Sequence, residues 1–547
     1  MPNAIADLLF TGGPVLTGET TGRATALAVR EGRILAVGGD ELSELAGPGT
    51  EVVDLRGRLL LPGFQDAHCH AVAGGIELGQ CDLTGTTGVQ EYLDRIAAYA
   101  TANPDAPWIS GSGWSMESFP GGTPSRALLD RIVADRPVFL TNRDHHGAWV
   151  NSRALKLAGI DADTPDPADG RIDREPGGAP SGGLQEGAMS LVAGLIPEVT
   201  RADRLAGLLR AQRLMHSLGI TAWQDAMLCA SNGYPDISDA YFAAAHDGSL
   251  ISAVAGALWW DRDRGADQIP ELEEKRERFT VGRLRSGTVK FMLDGVAENF
   301  TAAMTVPYRD AHGHPTTNHG LSFIDPAALP EYVAALDALG FQAHFHALGD
   351  RAVRDALDAV AAARAANGFR DTRPHLAHLQ VVHPDDVPRF RALGATANIQ
   401  PLWAAHEPQM DELTLPFLEP GPAGWQYPFG DLERAGASLA AGSDWPVSSP
   451  DPMRGIHVAV NRAHVGGDLP PFLPHQRLTL GAALAAYTAG SAHVNHLDDT
   501  GHLRPGYRAD LVVLDRDPFG APPEEIGEST VDLTYIDGVR VYAATAA

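Results

Sequence analysis

A (β/α)8 (TIM) barrel, joined to a small β-sandwich formed by both chain termini, is the α/β fold this sequence predicts. Three observations predict it. The middle of the 547-residue chain holds eight short apolar runs of β character, most of them separated by Ala/Leu/Arg-rich stretches of helical period. Strands that alternate with helices pair in parallel, and eight such units close a barrel. Both ends of the chain carry short apolar runs punctuated by glycine, the pattern of antiparallel β structure. Residues with metal-binding chemistry fall at the ends of several of the eight runs, as they must when barrel strands open on one face.

Taken in order, residues 1–62 form the N-terminal part of the sandwich, with strands expected at Asp7–Phe10, Ala26–Arg30, Arg33–Gly38 and Glu51–Asp54. The barrel occupies 63–500. Its first strand ends in Asp66-Ala67-His68-Cys69-His70, after an apolar run broken at Pro62-Gly63. The other seven are expected at Ile220–Asp225, Ile251–Trp259, Thr288–Leu293, Phe341–His346, Pro374–Leu379, Ala395–Gln400 and Ala437–Asp444, with helices such as Ala327–Leu339 and Arg351–Ala366 between them. The gap between the first two strands, about 80–210, is too long for one helix and rich in Gly, Pro and Trp. It reads as an inserted subdomain over the barrel mouth, with Asp161–Gly183 loop-like. Residues 501–547 return to the sandwich through Ala509–Asp515, Val531–Ile536 and Gly538–Tyr542.

Composition excludes several function classes. A net charge of −27 spread along the chain repels nucleic acid and anionic membranes. Met1–Asp7 lacks the charged and apolar regions of a secretory signal, and no apolar run reaches the ~18 residues that span a bilayer. Cys69, Cys81 and Cys229 form no CxxC and cannot all pair, which fits a reduced, cytoplasmic setting; Cys69 is expected in the core. Of 42 basic residues only Lys156, Lys275 and Lys290 are lysine, so a chain that prefers arginine keeps lysine on its fourth barrel strand.

The candidate site builds from these strand ends. His68 and His70 are two apart, so on a strand they present imidazoles on one face, as two ligands of one metal do. Lys290 lies on strand four, His346 ends strand five, His378 ends strand six and Asp444 ends strand eight. His344 repeats the His-x-His spacing with His346 and stays ambiguous between site and core. Around these, Asp294, Gln400 and Trp403 are placed to line a pocket, and Trp114 and Trp149 to supply an apolar wall.

With those residues in hand, the chain resembles the amidohydrolase superfamily, in its amidohydrolase-3 (YtcJ-like) branch, related to N-substituted formamide deformylases. The motifs are Pro-Gly-Phe-Gln-Asp-Ala-His-Cys-His (62–70), Asp-His-His-Gly-Ala-Trp-Val-Asn-Ser (144–152), Val-Lys-Phe-Met-Leu-Asp-Gly (289–295), His-Ala-Leu-Gly-Asp-Arg-Ala (346–352), His-Leu-Gln (378–380) and Gly-Ser-Asp-Trp-Pro (442–446). The resemblance implies two divalent metal ions, zinc by expectation, although such ligands also suit manganese, iron or nickel. His68, His70, Lys290 and Asp444 would hold one and Lys290, His346 and His378 the other, with Lys290 carrying a CO2-derived carbamate. A desolvated lysine can lose its proton and capture CO2, whereas arginine cannot. A hydroxide bridging the metals would attack, with Asp444 as general base and then acid. His146 matches a family position that reaches the substrate, with a catalytic or binding role. Glu186 matches a family pattern without a derivable role.

The function expected is hydrolysis of a C–N amide-type bond in a small molecule: an N-substituted formamide, an N-acyl amine or an amino-acid conjugate. The alternatives are a mononuclear deaminase, an esterase or lactonase on the same centre, and a non-catalytic binding protein, which would have no use for Asp444 beside a metal. The resemblance leaves oligomeric state open, with a homodimer the assembly common among such barrels.

Overall fold

The computed structural model describes residues 5–18, 23–86, 88–228 and 236–545; Cys229 lies outside them. Eight parallel strands run in sequence order around the centre of the molecule. They are β1 (Phe64–Cys69), β2 (Ile220–Leu228), β3 (Ala253–Trp259), β4 (Leu284–Met292), β5 (Gln342–Ala347), β6 (His375–His378), β7 (Thr396–Ile399) and β8 (Ser438–Ala441). Nearly every residue of these strands is buried, because helices such as Leu329–Ala338 and Asp350–Asn367 cover the outside. That burial on both faces is why parallel strands read as continuous apolar runs. This is the (β/α)8 barrel the sequence predicts.

The seam between β8 and β1 matters most for function. After β8 the chain folds back on β1, with Asp444 N–H donating to His68 O at 2.8 Å and His70 N–H donating to Trp445 O at 2.7 Å. The buried Asp66 carboxylate takes the backbone N–H of His68 (3.0 Å) and of Ser443 (3.1 Å) and the Ser443 hydroxyl (2.5 Å). The joint that closes the barrel therefore also fixes His68, His70 and Asp444 relative to one another.

Both termini meet in the sandwich. Leu511–Leu514 pairs antiparallel with Leu60–Pro62 in a six-stranded sheet that also holds Val531–Ile536 and Val539–Ala543. A four-stranded sheet of Leu8–Thr11, Ala26–Arg30, Arg33–Gly38 and Glu51–Asp54 packs on it, with Phe10 edge-on to Tyr535 at 5.2 Å.

Between β1 and β2 lies a fourth sheet, of six strands, running from Cys81–Asp82 to Pro180–Glu186. Its core is aromatic, with Trp114, Trp149 and Phe119 in edge contacts of 5.0–6.2 Å. The expectation that Asp161–Gly183 is loop-like needs correcting: Gly170–Arg174 and Pro180–Glu186 pair antiparallel within and beyond that stretch. No helix among the described residues is long and apolar enough to cross a membrane.

Candidate metal centre

His68 lies at the end of β1, and His70 precedes the helix Ala71–Glu77. Their Nε2 atoms each stand 3.1 Å from Asp444 Oδ1. Ligand atoms bound at ~2.0–2.1 Å to one ion at near-right or tetrahedral angles lie ~3.0–3.4 Å apart, so these spacings fit a shared cation. Asp444 Oδ1 and His378 Nδ1 are buried polar atoms without a hydrogen-bond partner, a need that a cation answers. Burial opposes the charge of Asp444, but His68, His70 and His378 outweigh it and hold the carboxyl well below its ordinary range. Asp444 and His378 both have positive φ, +55° and +81°. Non-glycine residues are held in such conformations only where their surroundings enforce them, as at functional sites.

Lys290, His346 and His378 come to the same place from β4, β5 and β6. The rings of His346 and His378 are 4.5 Å apart, and His378 is 4.7 Å from His68. Burial brings the Lys290 ammonium down to about 7, so a neutral amine is accessible there. Together with His68, His70 and Asp444 these groups line a chamber of about 90 Å3.

His344 belongs one layer deeper. Its Nε2 is 2.8 Å from His68 Nδ1 and 3.5 Å from Lys290 Nζ. With His68 Nε2 turned to Asp444, His68 Nδ1 carries the hydrogen and His344 accepts it, which fixes the His68 tautomer. His344 rests on His375 at 4.0 Å, and His375 bonds Gln224 and Asn398. Burial pushes both His344 and His375 well below their ordinary range, so the floor of the centre is polar and neutral.

His146, from the inserted sheet, overhangs the chamber with its ring 5.7 Å from that of His346. Its Nδ1 is 2.8 Å from Glu186 Oε2. Burial disfavours its charge, yet Glu186, with help from Asp144 and Asp444, more than compensates and lifts it to about 9. The chamber opens past His146 into a cavity of about 630 Å3, where Trp403 stacks on His378 at 14° between planes and Arg143 forks onto Glu407 at 3.3 Å. Glu298 and Tyr427 complete that wall. On another side Trp259 and Met292 separate the chamber from a second cavity of about 560 Å3.

Four expected pocket residues are elsewhere. Asp294 is fully buried and accepts the backbone N–H groups of Ala303, Leu348 and Gly349 at 2.9–3.1 Å, so it anchors loops instead of lining a pocket. Gln400 accepts the His378 N–H at 2.7 Å and donates to Asn398, which supports a ligand from behind. Trp114 and Trp149 are inside the inserted sheet's core, their indole N–H groups bonded to Leu140 O and Ser125 O. Residues the sequence reading gave no role include Trp259 and Glu298, which lie in no motif, and Met292, which lies inside the 289–295 motif.

The family model described as "Amidohydrolase family" matches residues 51–542. The chain is 31% identical to Protein LONG AFTER FAR-RED 3 of Arabidopsis thaliana, over 98% of this chain and 92% of that one. It is 30% identical to the putative amidohydrolase YtcJ of Bacillus subtilis (96% and 97%) and 28% identical to an N-substituted formamide deformylase of Arthrobacter pascens (95% and 95%). Among solved structures, an uncharacterized metal-dependent hydrolase from Pyrococcus horikoshii superposes with a TM-score of 0.73 at 26% identity, covering 94% of this chain and 99% of that one.

Proposed function

The chain belongs to the amidohydrolase family and is a metal-dependent hydrolase of C–N bonds, and from that premise we propose that it removes a short acyl group from a substituted amine at a two-metal centre. The observation that carries this is the convergence of six ligand-type residues from four strands and the β8 seam on one 90 Å3 chamber beneath a far larger cavity. A chamber of that size takes a formyl or similarly small acyl group, while the cavity of about 630 Å3 accommodates the amine's substituent. The deformylase relative, which by its name acts on N-substituted formamides, supports the same class.

His68, His70 and Asp444 would hold one ion, zinc by preference, and His346 and His378 the other, with Lys290 between them as its carbamate. Bound there, the ions would lower the pKa of water toward ~7 and polarise the substrate carbonyl. The neutral Lys290 amine adds to CO2, forming an N–C bond and releasing one proton, and gains the carboxylate the bridge requires. Asp444 keeps Oδ1 toward His68 and His70 and Oδ2 4.0 Å from His378 Nδ1. From that position it takes the proton of the attacking water and returns it to the leaving nitrogen. His146, with Nδ1 engaged by Glu186, presents its Nε2 edge to the substrate oxygen. The buried, free thiols of Cys69 and Cys81 agree with a cytoplasmic setting.

N-Benzylformamide, followed as formate and benzylamine, is the first substrate to try, beside metal analysis of the wild type and Lys290→Ala. The reading expects two equivalents of divalent metal per chain, and in the variant about one, with at least a hundredfold loss of activity. A Lys290→Ala protein that keeps both metals and full activity would sink it. A second reading has one observation behind it: among the described residues, His68, His70 and Asp444 are the one group of three or more His, Cys and acidic side chains whose ligand atoms lie within 4.8 Å of one another. That suits a mononuclear deaminase, for which the wild type would bind about one equivalent.

A further inference from the structure

Glu186 has a backbone that costs free energy and contacts that explain it. Its φ and ψ are 51° and −127°, a region in which a non-glycine residue is strained by about 1–3 kcal/mol. From that position it holds His146 twice. Its backbone N–H donates to His146 O at 2.9 Å, and its Oε2 accepts from His146 Nδ1 at 2.8 Å. Its other oxygen, Oε1, accepts the Thr301 hydroxyl at 2.8 Å, and Asn299 Nδ2 donates to His146 O at 3.1 Å. Gly295 makes the room: a Cβ there would sit 2.5 Å from Glu186 Oε1. The inserted sheet and the loop after β4 thus converge on one imidazole.

Glu186 itself lines neither the metal chamber nor the large outer cavity; its exposed edge faces the second cavity behind Trp259 and Met292. It touches the substrate space only through His146. A carboxylate is an acceptor, so Nδ1 of His146 carries a hydrogen that points at Glu186 and the ring plane is set. We propose that Glu186 is a positioning residue, strained into place to hold His146 over the metal chamber with Nε2 as the edge offered to substrate. This rests on the reading of His146 as a substrate contact.

The test uses full-length protein labelled with 15N-histidine, in wild type, Glu186→Gln, Glu186→Asp, His146→Asn and the Glu186→Gln/His146→Asn double variant. The wild type should show a downfield Nδ1–H resonance that His146→Asn removes and so assigns. Glu186→Gln should abolish or strongly shift it, and Glu186→Asp should retain it in part, with metal content unchanged in all. On N-benzylformamide, Glu186→Gln should lower kcat by roughly 10- to 100-fold with KM little changed, the scale of a misaligned group. The double variant should be no slower than His146→Asn alone, since residues acting as a unit are not additive. An unshifted resonance in Glu186→Gln, or additive losses in the double variant, overturns the positioning role. A fully active His146→Asn instead overturns the substrate-contact reading, and the assignment built on it.

Discussion

His344 makes no contact with the chamber, yet the geometry of His68 depends on it through a single 2.8 Å hydrogen bond. Replacing His344 with alanine strands the His68 Nδ1–H in a buried site and lets the ring rotate. The expected outcome is a ~10- to 100-fold loss of metal affinity with the fold retained, the usual effect of removing the partner of a ligating histidine. Competition against a chromophoric chelator measures it; unchanged affinity would show that the barrel alone orients His68. At this scale the ligand-type residues were legible in the sequence, because a His, Lys or Asp at a strand end has a position fixed by the strand itself. Asp294 and Gln400 were misread for the complementary reason. Nearness to a strand end says nothing about whether a side chain turns into the mouth or back onto backbone N–H groups. The His146–Glu186 pair spans forty residues, so no local spacing could reveal it.

Among the elements, the β1–β8 seam demands a close approach of backbone to a metal-ligand candidate. A Cβ at Gly442 would stand 2.6 Å from His68 N and 2.8 Å from His68 Cβ, so this position excludes every larger residue unless β1 moves. Gly442→Ala should destabilise the protein by about 1–3 kcal/mol, as overpacking does. It should also reduce metal content, because the displaced residue is a ligand. Gly481→Ala, in the helix Leu480–Ala485 with open space around its Cβ position, is the control and should be neutral or slightly stabilising. Thermal unfolding with metal analysis on both variants decides it; equal behaviour would mean the seam is looser than drawn. The barrel strands could be found from sequence because burial on both faces leaves an apolar run. The inserted sheet could not, since strands reading ISGSGW (Ile109–Trp114) and PSGGLQE (Pro180–Glu186) are poor in β-branched residues. Their glycines serve packing: a Cβ at Gly111 would meet Cys81 O at 2.1 Å.

For the whole molecule, a net charge of −27 opposes self-association and says little about where stability is lost. Buried neutral histidines say more. His216 joins three parts of the structure: it sits on the helix Arg201–Ser217, bonds Ser252 ahead of β3 at 2.8 Å, and accepts through its carbonyl from Thr534 of the sandwich. Burial lowers it from 6.5 to about 4. A base whose folded pKa lies below its unfolded value takes up a proton on unfolding. Its stabilisation is therefore complete above pH ~6.5 and declines as pH falls through ~6.5 toward ~4. From pH 7 to pH 5 that one group costs about 2 kcal/mol. His344 and His375, in the barrel floor, act in the same direction. Urea unfolding at the two pH values, on the wild type and on His216→Gln, isolates the effect from that of the carboxylates. The wild type should lose more stability than the variant by that margin, and equal losses would mean that acid acts on this fold through other groups.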